Sequence, residues 1–178
     1  MIPDLITVLT YYHPGINATN GGDLYDYNDI VWDDPQQAIP ENQLLSEQVT
    51  LTKIYKKREL DNFTIGILET QGMWYQSHHF DVSIYKRSIY SQVATSLLAN
   101  GSLSNFSGCF DTEYNFIAMD YTQFIAFNNV MADYISGVCT WQVNQYIAID
   151  ALTDSNSVDA YDYMSSLPSN DTDGTAPN

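Results

Sequence analysis

Tyr121-Thr-Gln-Phe-Ile-Ala-Phe-Asn-Asn-Val-Met-Ala-Asp-Tyr-Ile-Ser-Gly-Val-Cys-Thr-Trp-Gln-Val-Asn-Gln-Tyr-Ile-Ala-Ile-Asp-Ala-Leu152 is the stretch on which the reading of this chain turns. Phe124, Phe127, Met131, Tyr134, Val138 and Trp141 recur in steps of three and four, a heptad-like seam. Ile125, Ile135, Cys139, Tyr146 and Ile149 add a neighbouring stripe, and Asp120 stands where an N-cap belongs. The spacing predicts one helix over about 121–152, the longest in the chain. Between Tyr121 and Ile149 the only charge is Asp133. A surface helix normally carries a charged face, so this one needs cover on more than one side. Enclosure within its own domain and docking against further copies both supply that cover. The modest cover expected from the rest of the chain favours copies, with Phe124 to Trp141 as the seam of self-association.

Upstream, Val82 to Ala99 reads as a second helix. Asp81 is its N-cap, Asn100-Gly101 its stop, and Ile84, Ile89, Val93, Leu97 and Leu98 its buried stripe. Phe106 to Met119 reads as a hairpin. A third helix is predicted over about 42–62, through Leu44, Leu45, Val49, Leu51, Ile54, Tyr55 and Leu60. Lys56-Lys57-Arg58 lies in its last half, where cations suit the negative end of a helix. Phe63 to Leu68, Gln71-Gly72 and Met73 to Tyr75 follow as two apolar runs around a glycine turn, a second hairpin.

At the front, Asp4 to Tyr12 is β-branched and aromatic and stops at His13-Pro14-Gly15, a strand and a turn. Asn17 to Asp23 is a polar loop, Leu24 to Trp32 a second strand, and Asp33-Asp34-Pro35 its end. After Leu152, the Asp-, Ser- and Asn-rich segment 153–178 carries a helical turn around Val158 to Leu167. From Pro168 on it reads as a flexible tail. The expected architecture is α+β: a small β-rich region over 1–40, a mainly helical domain with short hairpins over 41–152, and a polar tail over 153–178.

The chain has 178 residues, 44% of them apolar, and 14 tyrosines, which is a folding composition and not a disordered one. Six Lys and Arg stand against 22 Asp and Glu, for a net charge of -16, and all six bases lie between Lys53 and Arg87. Such a surface does not neutralise phosphates, which argues against nucleic acid and against an anionic membrane. No run of 18 apolar residues and no secretory leader is visible, so the expectation is a protein of the cytoplasm.

Four features of the sequence bear on chemistry. His78-His79 are adjacent, which in a strand sends them to opposite faces, and His13 stands apart in a turn. Cys109 and Cys139 lack a Cys-x-x-Cys partner and read as free, buried thiols. Asp23, Asp26, Asp29, Asp33 and Asp34 lack calcium-loop spacing and read as a solvated strand edge. No phosphate loop or nucleophile elbow occurs. The reading is a non-enzyme without metal or cofactor. Tyr11, Tyr12, Tyr25, Tyr27 and Trp32 concentrate near the front, either as a small aromatic core or as a binding surface.

Two stretches carry a resemblance. Tyr27-Asn-Asp-Ile-Val-Trp-Asp-Asp-Pro35, with Ile39-Pro40 and Leu44, resembles the linker before the C-terminal domain of phage tail-fibre assembly proteins. Lys57-Arg58, Gly66-Ile67, Glu69-Thr70, Phe80-Asp81, Ser88, Gln92, Met119, Phe124 and Phe127 are similar, in order, to a domain of unknown function common in that family. The resemblance implies no catalysis. It implies a chaperone that binds the distal part of a tail fibre in the host cytoplasm, shields its strand edges and promotes trimeric assembly. The front aromatics would grip the fibre, and the seam would form a homotrimer in a 3:3 complex. The alternatives are a structural virion component retained on the tail, such as a fibre tip or baseplate adaptor, and an acidic nucleic-acid mimic that inhibits a host protein.

Overall fold

The computed structural model describes residues 1–100 and 106–177. Gly101, half of the expected helix stop, lies outside the described residues. The fold is α+β and mostly helical, and the described residues form three two-stranded antiparallel hairpins. The helices are α1 (Leu5–Tyr12), α2 (Glu41–Thr70), α3 (Ile84–Asn100), α4 (Tyr121–Ala151) and α5 (Ser155–Ala160). The hairpins are β1 (Ala18–Asn20) with β2 (Ile30–Trp32), β3 (Met73–Tyr75) with β4 (His78–Phe80), and β5 (Gly108–Phe110) with β6 (Phe116–Ala118).

The chain packs as two compact units that are not consecutive segments. One joins Met1–Leu60 to Gln145–Tyr163, and the other joins Asp61–Asn144 to Met164–Asn178. The division at residues 40 and 152 read from the sequence is thus not the one the chain folds by. Both long helices change unit along their length, and the tail divides between the two.

In the first unit, the segment expected to be a strand over 4–12 is a helix. Asp4 accepts a bond from the Thr7 amide at 2.7 Å and caps it. Leu5, Val8 and Leu9 lie at steps of three and one, and all are buried. That is a helical stripe which β-branched composition concealed. They pack with Ile30, Leu44 and Leu51. The expected strand 24–32 shrinks to β2. Before it, Asp23 and Asp26 accept bonds from the Tyr25 and Asn28 amides, and these local bonds compete with extended backbone. β1 forms within the segment read as loop, pairing Ala18 with Trp32 and Asn20 with Ile30.

The Lys56-Lys57-Arg58 run is not at a helix end, because α2 continues to Thr70. Its two lysines, and Lys53 one turn before them, bind acids and carbonyls of the returning chain instead. Lys53 donates to the Asp150 carbonyl at 2.8 Å, Lys57 to the Asp150 carboxylate at 2.7 Å, and Lys56 to the Asp159 carbonyl at 3.0 Å. Lys56 also lies over the Tyr163 ring. Tyr163 in turn donates to Glu59 at 3.0 Å. Burial, then the Glu59 bond and nearby carboxylate charge, push the Tyr163 phenol up to about 12.

In the second unit, Phe63 to Leu68 is helical and not the first arm of a hairpin. Leu60, Thr64, Ile67 and Leu68 carry the buried stripe of α2 onward. Gly72 ends this helical segment with φ +62, and a Cβ there would sit 2.5 Å from the Phe80 carbonyl oxygen. The real hairpin, β3–β4, turns through Gln76 and Ser77, both at positive φ. The stripe of α3 is also rotated from expectation. Tyr90, Ala94 and Leu97 are buried, whereas Ile84, Ile89 and Leu98 are exposed. β5–β6 falls inside the expected hairpin over 106–119. α4 opens with a reciprocal cap: Asp120 accepts from the Gln123 amide and Gln123 from the Asp120 amide, each at 2.8 Å.

The seam of α4 faces inward. Phe124, Phe127, Met131, Tyr134 and Val138 lie in the core of this unit with Met73, Phe80, Val82, Tyr90 and Leu97. Trp141 is buried beside Phe63, and its indole donates to the Ser166 hydroxyl at 3.2 Å. The expectation that these six residues form an intersubunit seam is therefore overturned: their apolar surface is already spent on their own chain. The segment expected to be loose is also held. The Trp74 amide donates to the Asn170 carbonyl at 2.8 Å, and the Thr172 amide donates to the Trp74 carbonyl at 3.3 Å.

Candidate functional site

The five aromatics singled out from the sequence divide into a supporting set and a presented set. Tyr12, Tyr27 and Trp32 are half-buried against the first unit's core. Tyr27 donates to the Ile39 carbonyl at 2.6 Å and leans on Trp32, their ring centres 6.1 Å apart. Tyr12 meets Tyr11 edge to face at 4.9 Å. Burial, with the neighbouring Tyr11 and Glu47, raises the Tyr12 phenol. Tyr11 and Tyr25 are 56% and 55% exposed, and Leu24 and Val31 are exposed too. The start of α1 is tied to this loop, since the Leu5 amide donates to the Leu24 carbonyl at 3.1 Å. Tyr25 lines a hollow of about 600 Å³ with Met1, Ile2, Gln48 and Asp159. Tyr11, at the end of α1, and Tyr25, by its start, are thus the two tyrosines of the set presented to water.

The acid cluster in the same region is not a strand edge. Asp23, Asp26, Asp29 and Asp34 spend carboxylate oxygens on the amides of Tyr25, Asn28, Asp23 and Gln36. They shape turns. Among the described residues, no group of three His, Cys, Asp or Glu side chains is placed to hold a metal. His13 bonds Glu47 at 2.9 Å, His78 bonds Asp111 at 3.1 Å, and His79 bonds the Gln71 carbonyl at 2.6 Å. Both cysteines are free, but Cys139 is exposed, not buried as expected. Cys109 is half-buried, and burial reinforced by the Asp111 charge pushes its thiol up to about 11, the opposite of a reactive thiolate.

Sequence reasoning missed Asp111. It lies in the β5–β6 loop, almost wholly buried, and accepts bonds from the Glu113 and Asn115 amides, the Asn115 side chain and His78. Burial alone would raise this carboxyl, but the bonds from Asn115, His78 and Glu113 outweigh it and hold it below the usual range. Asp111 borders a cleft of about 300 Å³ shared with Glu69, His79, Lys86, Tyr90 and Tyr114. The carboxylates of this cleft are engaged in holding backbone: Glu69 takes the Ile84 amide at 3.0 Å and Asp81 the Ser83 amide at 2.7 Å. Phe110 and Tyr114 line it and are exposed, Tyr114 at 87%, and Phe116 beside Phe110 is exposed too. The sole warning in the sequence was the hairpin pattern of 106–119, which does not say which face is wet.

The second unit has one more notable surface. The parallel bridge between Trp74 and Asp171 makes the segment after Asn170 a third arm on the β3 edge. No helix of the described residues is long and apolar enough to cross a membrane. Comparison with protein families, with curated proteins and with solved structures finds no match to this chain.

Proposed function

We propose that this chain is a non-catalytic assembly factor for a phage tail fibre, acting in the host cytoplasm by covering exposed strand edges of the fibre. The observation that carries the proposal is the tyrosine surface of the first unit. Tyr11 and Tyr25 are exposed, as are Leu24 and Val31, while Tyr12, Tyr27 and Trp32 pack against the core of the same unit. Tyrosine offers wide contact area for few rotatable bonds, the property of binding surfaces that tolerate varied clients. The acidic carboxylates nearby are committed to turns, so the surface suits a neutral or basic strand. The resemblance of Tyr27 to Pro35 and of Lys57 to Phe127 to tail-fibre assembly proteins supplies the identity of the client. The homotrimer and the 3:3 complex do not enter the proposal, since the seam that argued for them is consumed inside the chain.

The test is co-expression with the fibre encoded alongside it. The fibre should be soluble and trimeric with the wild-type chain and should aggregate without it. The double variant Tyr11→Ser, Tyr25→Ser should fold normally and rescue the fibre poorly. A fibre equally soluble and trimeric in the absence of the chain overturns the proposal.

A further inference from the structure

We propose that the cleft of about 300 Å³ beside the β5–β6 hairpin, lined by Glu69, Asp81, Lys86, Tyr90, Phe110 and Tyr114, is a binding site for one ring of a neutral sugar. The inference is independent of what Tyr11 and Tyr25 bind.

Tyr90 is the first pointer. Only 5% of it is exposed, and its ring packs on Phe124 and Phe127 with centres 6.2 and 5.3 Å away. It lines the cleft all the same, and no described residue bonds its hydroxyl. Burial raises the phenol, so the group stands there as an O–H donor. A polar group this deep normally has a partner in the protein. In the free chain water serves it, and a ligand oxygen can take the place of that water. Lys86 is the second pointer. It lies four residues before Tyr90, on the same face of α3. Lys53, Lys56, Lys57 and Arg87 each meet a carboxylate or a carbonyl, whereas no described residue pairs with half-buried Lys86. Acceptors face these donors. Glu69 spends Oε1 on the Ile84 amide and Asp81 spends Oδ1 on the Ser83 amide, so one oxygen of each remains without a bond from a described residue.

Charge and shape select the class of ligand. Asp111 has its carboxylate taken by bonds from Glu113, Asn115 and His78, and Glu69 has Arg87 at 3.6 Å. The charges left over are Asp81 and Lys86, one of each sign. An anion is repelled by the first and a cation by the second. A neutral ligand whose hydroxyls both donate and accept meets the free donors and the free acceptors together. Phe110 and Tyr114 line the same cleft and are 56% and 87% exposed. They offer flat apolar faces on which the C–H face of a sugar ring can rest while its hydroxyl edge is bonded. The volume lies at the low end for ligand pockets and suits one ring, not a chain of them.

The test is a titration of the isotope-labelled full-length chain, followed by amide NMR shifts. The probes are the methyl α-D-pyranosides of glucose, mannose and galactose, which differ only in hydroxyl orientation. At least one should move the amides of Gly72 and Thr112, which border the cleft, with half-saturation in the millimolar range. Tyr90→Phe removes only the hydroxyl and should weaken that binding about fivefold, as should Lys86→Met. Tyr114→Ala lies on the surface and should weaken it too, which keeps the test open if Tyr90→Phe disturbs the core. No shift with any of the three sugars in the tens-of-millimolar range overturns the proposal. Equal binding by the wild type and the three variants overturns it by placing the sugar elsewhere. Shifts of these amides with sodium acetate and not with the sugars overturn it by giving the cleft to an anion.

Discussion

The α4 seam and the tip of the β5–β6 hairpin both carry phenylalanines, and they lie in the same unit, yet water reaches only one of them. Phe124 and Phe127 are closed in by Tyr90, and Phe127 also by Phe80 and Tyr75, with ring centres 4.6 to 6.2 Å apart. Phe110 and Phe116 face each other across the strands at 5.4 Å and remain exposed. A long chargeless helix looked in need of partners, but two hairpins and α3 supply enough aromatic surface to enclose its seam. A hairpin only three residues per strand has one face on the core and cannot hide the other. Lack of charge along a helix thus does not report burial all round, since Ala126, Cys139, Val143 and Ile147 on the uncharged far face of α4 are exposed.

The sharpest way to break this comparison is Phe127→Ala. The site is fully enclosed, so the change should cost about 3–5 kcal/mol. Chemical denaturation of the chain should show the same loss at all protein concentrations. If the loss instead shrinks as concentration rises, the seam belongs to an interface after all.

This outcome bears on how much could be read in advance. The heptad steps from Phe124 to Trp141 placed α4 to within a residue, and Phe106 to Met119 enclosed a real hairpin, because both patterns extend over many positions. Asp4 to Tyr12 misled because Ile6, Thr7, Val8 and Thr10 favour strands, while the stripe of Leu5, Val8 and Leu9 is only one turn long. Phe63 to Leu68 misled in the same manner, since the stripe that keeps it helical begins well upstream at Leu44. In the candidate surfaces, the tyrosines were visible as composition, but composition does not separate Tyr27, whose hydroxyl is bonded inward, from Tyr25, which is bare. Asp111 and the docking of Asn170 to Thr175 on β3 depend on pairs distant in sequence, which no local pattern records.

A second effect, smaller than a core cavity and larger than one lost cap, is expected at Asp111. Its carboxyl sits below the ordinary value in the fold because four bonds stabilise the charged form beyond what burial costs it. That stabilisation is complete above the ordinary carboxylate value of about 4 and is lost as pH falls through the lowered folded value. Wild-type stability should therefore fall with pH in that acid window, and Asp111→Asn should be weaker at neutral pH with a flatter slope. Equal slopes in the two proteins would place the acid sensitivity elsewhere. Next comes Asp120→Ala, which removes the reciprocal cap of α4 and should cost about 1 kcal/mol, measurable as a lowered denaturation midpoint with an unchanged slope.

The smallest effect belongs to the other side of the comparison. Phe110→Ser should alter stability by no more than about 0.5 kcal/mol, because the ring is already in water and its neighbour Phe116 is as well. A near-zero change would mean that the hairpin is held by its backbone ladder, from Gly108–Ala118 to Phe110–Phe116, and by the Asp111 loop, leaving the rings free for another use. A loss approaching that of Phe127→Ala would mean that the exposed pair is structural, and the contrast between the two phenylalanine clusters would then be one of shape alone. The measurement separates these because a cross-strand aromatic pair in water is worth only about 0.2–1 kcal/mol, several times less than an enclosed ring.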